Sequence, residues 1–117
     1  DAISCAIRRI SSILPVAALV NYTESGNSSL RASRERPKAP ILSLTPNLDT
    51  ARRLSVAWGV YSVVNARLNK VEEVTRTALE TARSAGLANT GDTVVITAGE
   101  PFGQPGSTNS LRIEILH

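Results

Sequence analysis

Residues 23–28, with the sequence TESGNS, are a short stretch of hydroxyl side chains around a glycine. Hydroxyl groups can donate hydrogen bonds to phosphate oxygens, and Gly26 tolerates a positive φ and lets the backbone approach a ligand closely. The stretch therefore predicts an anion site. Its candidate residues are Thr23, Glu24, Ser25, Gly26, Asn27 and Ser28.

A helix cap explains the same residues without any ligand. The side chain of Ser25, Asn27 or Ser28 can accept a hydrogen bond from a free backbone N–H at the start of a helix, as N-cap residues commonly do. The local sequence leaves the anion site and the cap open as alternatives.

The predicted strand before this stretch and the predicted helix after it determine which backbone groups surround a ligand there. Val16–Tyr22 is a nearly all-apolar run, typical of a central parallel strand covered on both faces. A helix is predicted from about Ser28 to Glu35, ending before Pro37. A strand, a turn and a helix in this order direct free backbone N–H groups and the positive end of the helix dipole at one place.

The rest of the chain alternates helices and strands. Periodicity predicts strands at Ala39–Leu44, Val60–Asn65, Thr93–Ala98 and Leu111–Leu116. It predicts helices at Asp1–Leu14, from a cap at Thr45 or Asn47 to about Trp58, and at Lys70–Ala85. This alternation predicts an α/β fold with a parallel sheet and helices on both faces. The last strand follows its predecessor with no helix between them, so it is expected to be antiparallel.

A second loop is expected at the same edge of the sheet. Gly99–Asn109, with the sequence GEPFGQPGSTN, follows the predicted strand Thr93–Ala98. Ligands of open α/β sheets bind outside the carboxyl ends of the strands. The loop and the stretch 23–28 both follow such ends, so the two are predicted to clasp one phosphorylated ligand.

Catalytic and metal-binding patterns are missing from the sequence. His117 is the single histidine and the last residue, and Cys5 is the single cysteine with no histidine near it. Glu72 and Glu73 are adjacent at a predicted helix start, where acidic side chains favour the dipole. Neither GxGxxG nor GxxxxGK[ST] occurs. We therefore predict no catalytic residue and no metal ligand within the chain.

Size and composition limit the other classes of protein. The 117 residues fit a single domain, and 42% of them are hydrophobic. The net charge of +3 comes from dispersed basic residues without interleaved aromatic side chains, which argues against nucleic-acid binding. No apolar run approaches the roughly 20 residues of a membrane span. A lone cysteine fits a reducing cytoplasm, and a start inside a helical pattern predicts a fragment of a longer chain.

Three stretches carry a resemblance to one family, in order and spacing. They are ALVNYTESGNSSLRASRERPKAPILSLTP, TARRLSVAWGVYSVV and GLANTGDTVVITAGEPFGQPGSTNSLRI. Within them lie the patterns T-x-S-G-x-[ST], R-P-x-x-P-[IV], A-R-x-L…W-G-V, G-D-x-V-V-x-x-x-G and P-G-x-T-N-x-[LIM]. Together they resemble the C-terminal domain of pyruvate kinase over essentially the whole chain.

This resemblance implies a three-layer α/β/α sandwich, with a five-stranded mixed sheet in the order 3-2-1-4-5 and an antiparallel fifth strand. It implies a parent enzyme that transfers phosphate from phosphoenolpyruvate to ADP in glycolysis, with Mg and K. That active site belongs to a barrel domain not contained in this sequence. The domain alone is therefore expected to be inactive, to carry no cofactor, and to serve regulation and oligomerisation.

The resemblance also implies an effector site. One phosphate is expected in the turn at residues 23–28. The loop expected to close over the ligand contributes Gly99, Gly103, Gly106, Ser107 and Thr108.

Two departures from the family pattern change the expected ligand. Members that bind fructose 1,6-bisphosphate commonly carry lysine and arginine where this chain has Glu24 and Asn27. Certain animal forms bind the second phosphate with a Trp and an Arg, and by spacing those two positions hold Arg67 and Val74 here. Glu24 would repel a bisphosphate. A monophosphate such as AMP, ribose 5-phosphate or glucose 6-phosphate, or a weak generic phosphate or sulfate site, is therefore expected, with a turn that only caps the helix as the alternative.

The last strand alternates apolar and charged residues, which is typical of an edge strand with one face in water. In the family this strand contributes to a subunit contact, which implies a dimer here and a tetramer in the parent. The interface candidates are Leu111, Arg112, Ile113, Glu114 and Ile115. The alternative is an ordinary edge guarded by Arg112 and Glu114.

Two other functions compete with a regulatory domain. A free-standing module that binds a phosphorylated ligand without catalysis would need the same turn and no barrel. A small phosphatase or transferase would need a base or a metal ligand, which the sequence lacks.

Overall fold

The computed structural model describes residues 6, 9–10, 12–23, 27–34, 38–57, 59–65, 71–98 and 110–117. Residues 6, 9, 10, 12 and 13 are helical, in agreement with the predicted first helix. The elements that follow are β1 (Val16–Tyr22), α1 (Asn27–Arg34), β2 (Ile41–Thr45), α2 (Leu48–Leu54), β3 (Val60–Val64), α3 (Val71–Ser84), β4 (Thr93–Ala98) and β5 (Ser110–Ile115).

The strands form one sheet in the order β3-β2-β1-β4-β5. The pairs β1–β2, β1–β4 and β2–β3 are parallel, and β4–β5 is antiparallel. The predicted strand order and the antiparallel last strand are confirmed. In this register Asn21 of β1 lies between Ser43 of β2 and Thr97 of β4.

Each face of the sheet carries its own apolar core, as a three-layer sandwich requires. On one face α3 packs against Val20, Leu42 and Val94. On the other face Leu30 of α1 and Leu54 of α2 pack near Leu19, Ile41, Val60 and Val95. The predicted layers are therefore confirmed in the described part of the chain.

The sequence explains why α3 is the longest helix described. Val74, Ala78 and Ala82 recur every fourth residue and are buried against the sheet. Glu72 and Glu73 lie in its first turn and Arg83 in its last, each with the charge that the helix dipole favours. Gly86, beyond its end, has φ 75°, a conformation that favours glycine.

The helix α2 is shorter than the sequence predicts. It ends at Leu54, whereas the apolar periodicity extends it to Trp58, which lies outside the described residues. The Ser55 hydroxyl donates a hydrogen bond to the Arg52 carbonyl oxygen at 2.6 Å, and the Ala57 N–H donates to the Leu54 carbonyl oxygen at 3.0 Å. These local bonds tighten the chain into a turn and compete with a further helical turn.

The edge strand β5 leaves apolar side chains in solvent. Ile113 and Ile115 are 48% and 51% exposed. Arg112 and Glu114 lie on the opposite face of the strand and approach each other to 3.9 Å. Both faces of β5 are thus partly open to water, although the alternating sequence predicts a single wet face.

Candidate functional site

The carboxyl ends of β1 and β4 lie side by side. Asn21 pairs with Thr97 in the parallel register, and the two strands end at Tyr22 and Ala98. The chain therefore leaves both strands at the same edge of the sheet. Thr23 follows β1 directly, is buried, and donates its backbone N–H to the Leu44 carbonyl oxygen at 2.9 Å.

The predicted ligand residues are distributed unequally over this edge. Thr23 lies at the edge itself, and Asn27 and Ser28 are the first two residues of α1. The other candidates lie outside the described residues: Glu24, Ser25, Gly26, Gly99, Gly103, Gly106, Ser107 and Thr108.

Four buried polar side chains form a hydrogen-bond network beneath the first turn of α1. Asn21 Nδ2 donates to Thr97 Oγ1 at 2.6 Å, and Ser29 Oγ donates to Asn21 Oδ1 at 2.9 Å. Ser29 Oγ and Ser43 Oγ lie 2.6 Å apart. None of the four residues is more than 5% exposed. The network joins β1, β2 and β4 to α1.

On this face of β1, β2 and β4, the buried polar residues of the strands lie toward the carboxyl ends, whereas the half-buried Thr93 begins β4 on the same face. Two residues before Asn21, Ser43 and Thr97, the same strands carry the buried Leu19, Ile41 and Val95. The face therefore changes from an apolar core to a layer of hydroxyl and amide groups at the edge where the predicted ligand segments begin. The hydroxyl and amide groups of this layer can donate and accept hydrogen bonds, but none of them is a titratable base.

A family model now identifies the chain. The model described as the pyruvate kinase alpha/beta domain matches residues 1–114. This chain belongs to that family.

Known pyruvate kinases match nearly the whole chain. The enzyme of Methylorubrum extorquens is 42% identical over 99% of the chain, and that of Geobacillus stearothermophilus is 40% identical over 99%. The structure of Cryptosporidium parvum pyruvate kinase in complex with ADP superposes with a TM-score of 0.89, at 28% identity over 99% of the chain. This chain spans only 24%, 20% and 23% of those three proteins, respectively.

Two positions, Arg67 and Val74, correspond by spacing to the second phosphate site of certain family members, and Val74 is the one that lies among the described residues. Val74 is buried in the core between α3 and the sheet, so it cannot contact a ligand there. The other position, Arg67, lies outside the described residues.

Sequence reasoning missed the network, although a signal was present. Asn21, Ser43 and Thr97 each interrupt an apolar strand near its carboxyl end. A polar residue within a buried strand requires a partner. The sequence does not show that these three share partners, because the strands that carry them are far apart in the chain.

The described residues contain no group of three or more His, Cys, Asp or Glu side chains that could hold a metal ion. His117 is exposed, and its carbonyl oxygen accepts a hydrogen bond from Arg83 Nη2. Among the described helices, none has the length and apolarity to cross a membrane.

Proposed function

We propose that this chain is the regulatory and oligomerisation domain of a cytoplasmic pyruvate kinase, and that it binds a phosphorylated effector at residues 23–28. The parent enzyme transfers phosphate from phosphoenolpyruvate to ADP in a barrel domain that requires Mg and K. The chain alone has no such activity. The observation that carries the proposal is the adjacency of the ends of β1 and β4, which brings both predicted ligand segments to one edge.

The geometry of the described residues supports phosphate binding at this edge. Thr23 follows the end of β1 and Asn27 begins α1, so the segment between them precedes the N-terminus of an eight-residue helix. Backbone N–H groups and the helix dipole favour an anion at such a position. β4 ends at Ala98 beside the end of β1, and the segment that follows it in the sequence contains the other candidates, Gly99, Gly103, Gly106, Ser107 and Thr108.

Charge selects a monophosphate over a bisphosphate. Glu24 adds a negative charge to the turn and Asn27 adds none. The carboxylate would repel the two phosphate groups of a bisphosphate. Members of the family that bind fructose 1,6-bisphosphate neutralise these groups with a lysine and an arginine, which this chain lacks at the two positions. AMP, ribose 5-phosphate and glucose 6-phosphate are the effectors that this charge pattern favours.

The exposed edge of β5 supports assembly. The half-exposed Ile113 and Ile115 lie on β5, the last strand of the sheet that the described residues form. The backbone edge of such a strand is a template for a second copy of the chain. We assign the subunit contact to Leu111, Arg112, Ile113, Glu114 and Ile115. It gives a dimer of this domain and one of the contacts of a tetramer in the parent enzyme, where the domain also contacts the barrel.

Thermal unfolding with added ligand tests the effector site. AMP, ribose 5-phosphate or glucose 6-phosphate at about ten times its Kd should stabilise the chain by about 1.4 kcal/mol, because a ligand that binds only the folded state shifts the equilibrium by mass action. The melting temperature then rises by about 5 °C. Fructose 1,6-bisphosphate should shift it less.

The substitution Ser25→Asp tests the location of the site. An added carboxylate in the turn should abolish the shift, whereas Ser12→Asp, at an exposed serine near the amino end of β1, should leave it unchanged. The effector site is wrong if no probe raises the melting temperature, or if Ser25→Asp responds like the unchanged chain.

A further inference from the structure

Among its described side chains, the helix α1 contacts the sheet through two buried serines and one large apolar residue, Leu30. Of its side chains that the structure describes, Ser29 and Ser33 are buried, Leu30 is half-buried and Arg34 is exposed. A helix of eight residues is unstable alone and takes its position from tertiary contacts. The described contacts that fix α1 on the sheet are therefore the packing of Leu30 and the hydrogen bonds of Ser29.

The protons of the network can be assigned from donor chemistry. The side-chain oxygen Oδ1 of Asn21 can only accept a hydrogen bond, so the single proton of the Ser29 hydroxyl points to it. The Ser43 hydroxyl must then donate to Ser29 Oγ across their 2.6 Å contact. The donors run in one direction, from Ser43 through Ser29 and Asn21 to Thr97. Hydrogen bonds aligned in this way polarise and strengthen one another.

Asn21 is the centre of this chain of bonds. Its amide is the link between the end of β4, through Thr97, and the first turn of α1, through Ser29. An apolar residue would pack against the same sheet at lower desolvation cost, as Leu19 does on the same face. A satisfied buried amide instead imposes one relative placement of the elements that it joins.

We propose that Asn21 is a positioning residue for phosphate binding. Its side-chain amide hydrogen-bonds to Thr97 on one side and to Ser29 on the other. These bonds hold the first turn of α1 against the carboxyl ends of β1 and β4, so that the helix N-terminus keeps a fixed position relative to the ligand. This inference rests on the proposed effector function, because it gives the network a role at that site.

Two substitutions at Thr97 separate hydrogen bonding from packing. Thr97→Val keeps the shape but removes the hydroxyl, and Thr97→Ser keeps the hydroxyl but removes a methyl group. In calorimetric titration of the 117-residue chain with ribose 5-phosphate, Thr97→Val should weaken binding by roughly 3- to 10-fold, the equivalent of one hydrogen bond. Thr97→Ser should bind within about twofold of the unchanged chain. A purely structural role of the side chain predicts the opposite order, because Thr97→Ser leaves a cavity.

Two further variants complete the test. Thr93→Val makes the same change at the other end of β4, on a half-buried residue, and should leave binding unchanged. Ser43→Ala removes the first donor of the chain and should weaken binding by a smaller factor than Thr97→Val. Hydrogen exchange should show faster opening of the first turn of α1 in Thr97→Val and Ser43→Ala, with unchanged protection in α3.

The outcomes distinguish this inference from the proposed function. If the unchanged chain binds no phosphorylated probe, both are overturned. If the unchanged chain binds and Thr97→Val binds equally well, or Thr97→Ser loses as much as Thr97→Val, only the positioning role is overturned. Should Thr97→Val not fold, Ser43→Ala decides by the same criterion: weaker binding supports the role and unchanged binding overturns it.

Discussion

Thr75 on α3 and Thr97 on β4 both carry a buried hydroxyl oxygen, but only that of Thr97 has a hydrogen-bond partner among the described residues. A buried hydroxyl without a partner costs about 1–3 kcal/mol. Thr75→Val should therefore raise the free energy of unfolding by about 1 kcal/mol, as measured by urea denaturation. Thr75→Ser is the control, since it keeps the hydroxyl and loses a methyl group, and it should not stabilise the chain. A loss of stability in Thr75→Val would contradict the structure at this side chain.

The start of α2 depends on one side chain. Asn47 Oδ1 accepts hydrogen bonds from the backbone N–H groups of Asp49 at 2.9 Å and Thr50 at 3.2 Å. The first N–H groups of a helix have no carbonyl acceptor within the helix itself, so a capping side chain stabilises them. Asn47→Ala should lower the free energy of unfolding by about 1 kcal/mol. Asn47→Asp keeps the acceptor and adds a charge that the helix dipole favours, so its stability should equal or exceed that of the unchanged chain. Equal stability of Asn47→Ala and Asn47→Asp in thermal denaturation would rule out the cap.

Two copies of the whole molecule are predicted to associate through the exposed edge of β5. Sedimentation velocity should show a concentration-dependent dimer of the chain. Ile113→Lys should shift it to monomer, because a dimer through β5 would bury an unpaired charge. Val56→Lys is the matched control, since Val56 is 89% exposed outside β5 and the same substitution there should leave the dimer intact. A monomer at all concentrations, or equal dimerisation of both variants, would exclude the β5 interface.

The sequence alone predicted most of the fold because its signals are local. Apolar runs bounded by turn residues predicted the first and last residues of β1 and β4 correctly. Helical periodicity predicted both ends of α3 to within one residue. The lack of a helix before β5 predicted its antiparallel direction, which the structure confirms. The predicted end of α2 was wrong. The hydrogen bond from the Ser55 hydroxyl to the Arg52 carbonyl oxygen competes with a further helical turn, and apolar periodicity gives no sign of such a bond.

Residues 23–28 and 99–108 were recognised as a candidate site from hydroxyl and glycine content and from the family pattern, which are properties of contiguous sequence. The layer beneath α1 was not recognised. Asn21, Ser29, Ser43 and Thr97 meet only because the parallel register places β2, β1 and β4 side by side and brings α1 back over them. The sequence determined which strands and helices form, while its assignment of ligand binding to residues 23–28 and 99–108 stays a prediction. Only the tertiary structure decided which buried polar groups share hydrogen bonds, because their partners are up to 76 residues apart in the chain.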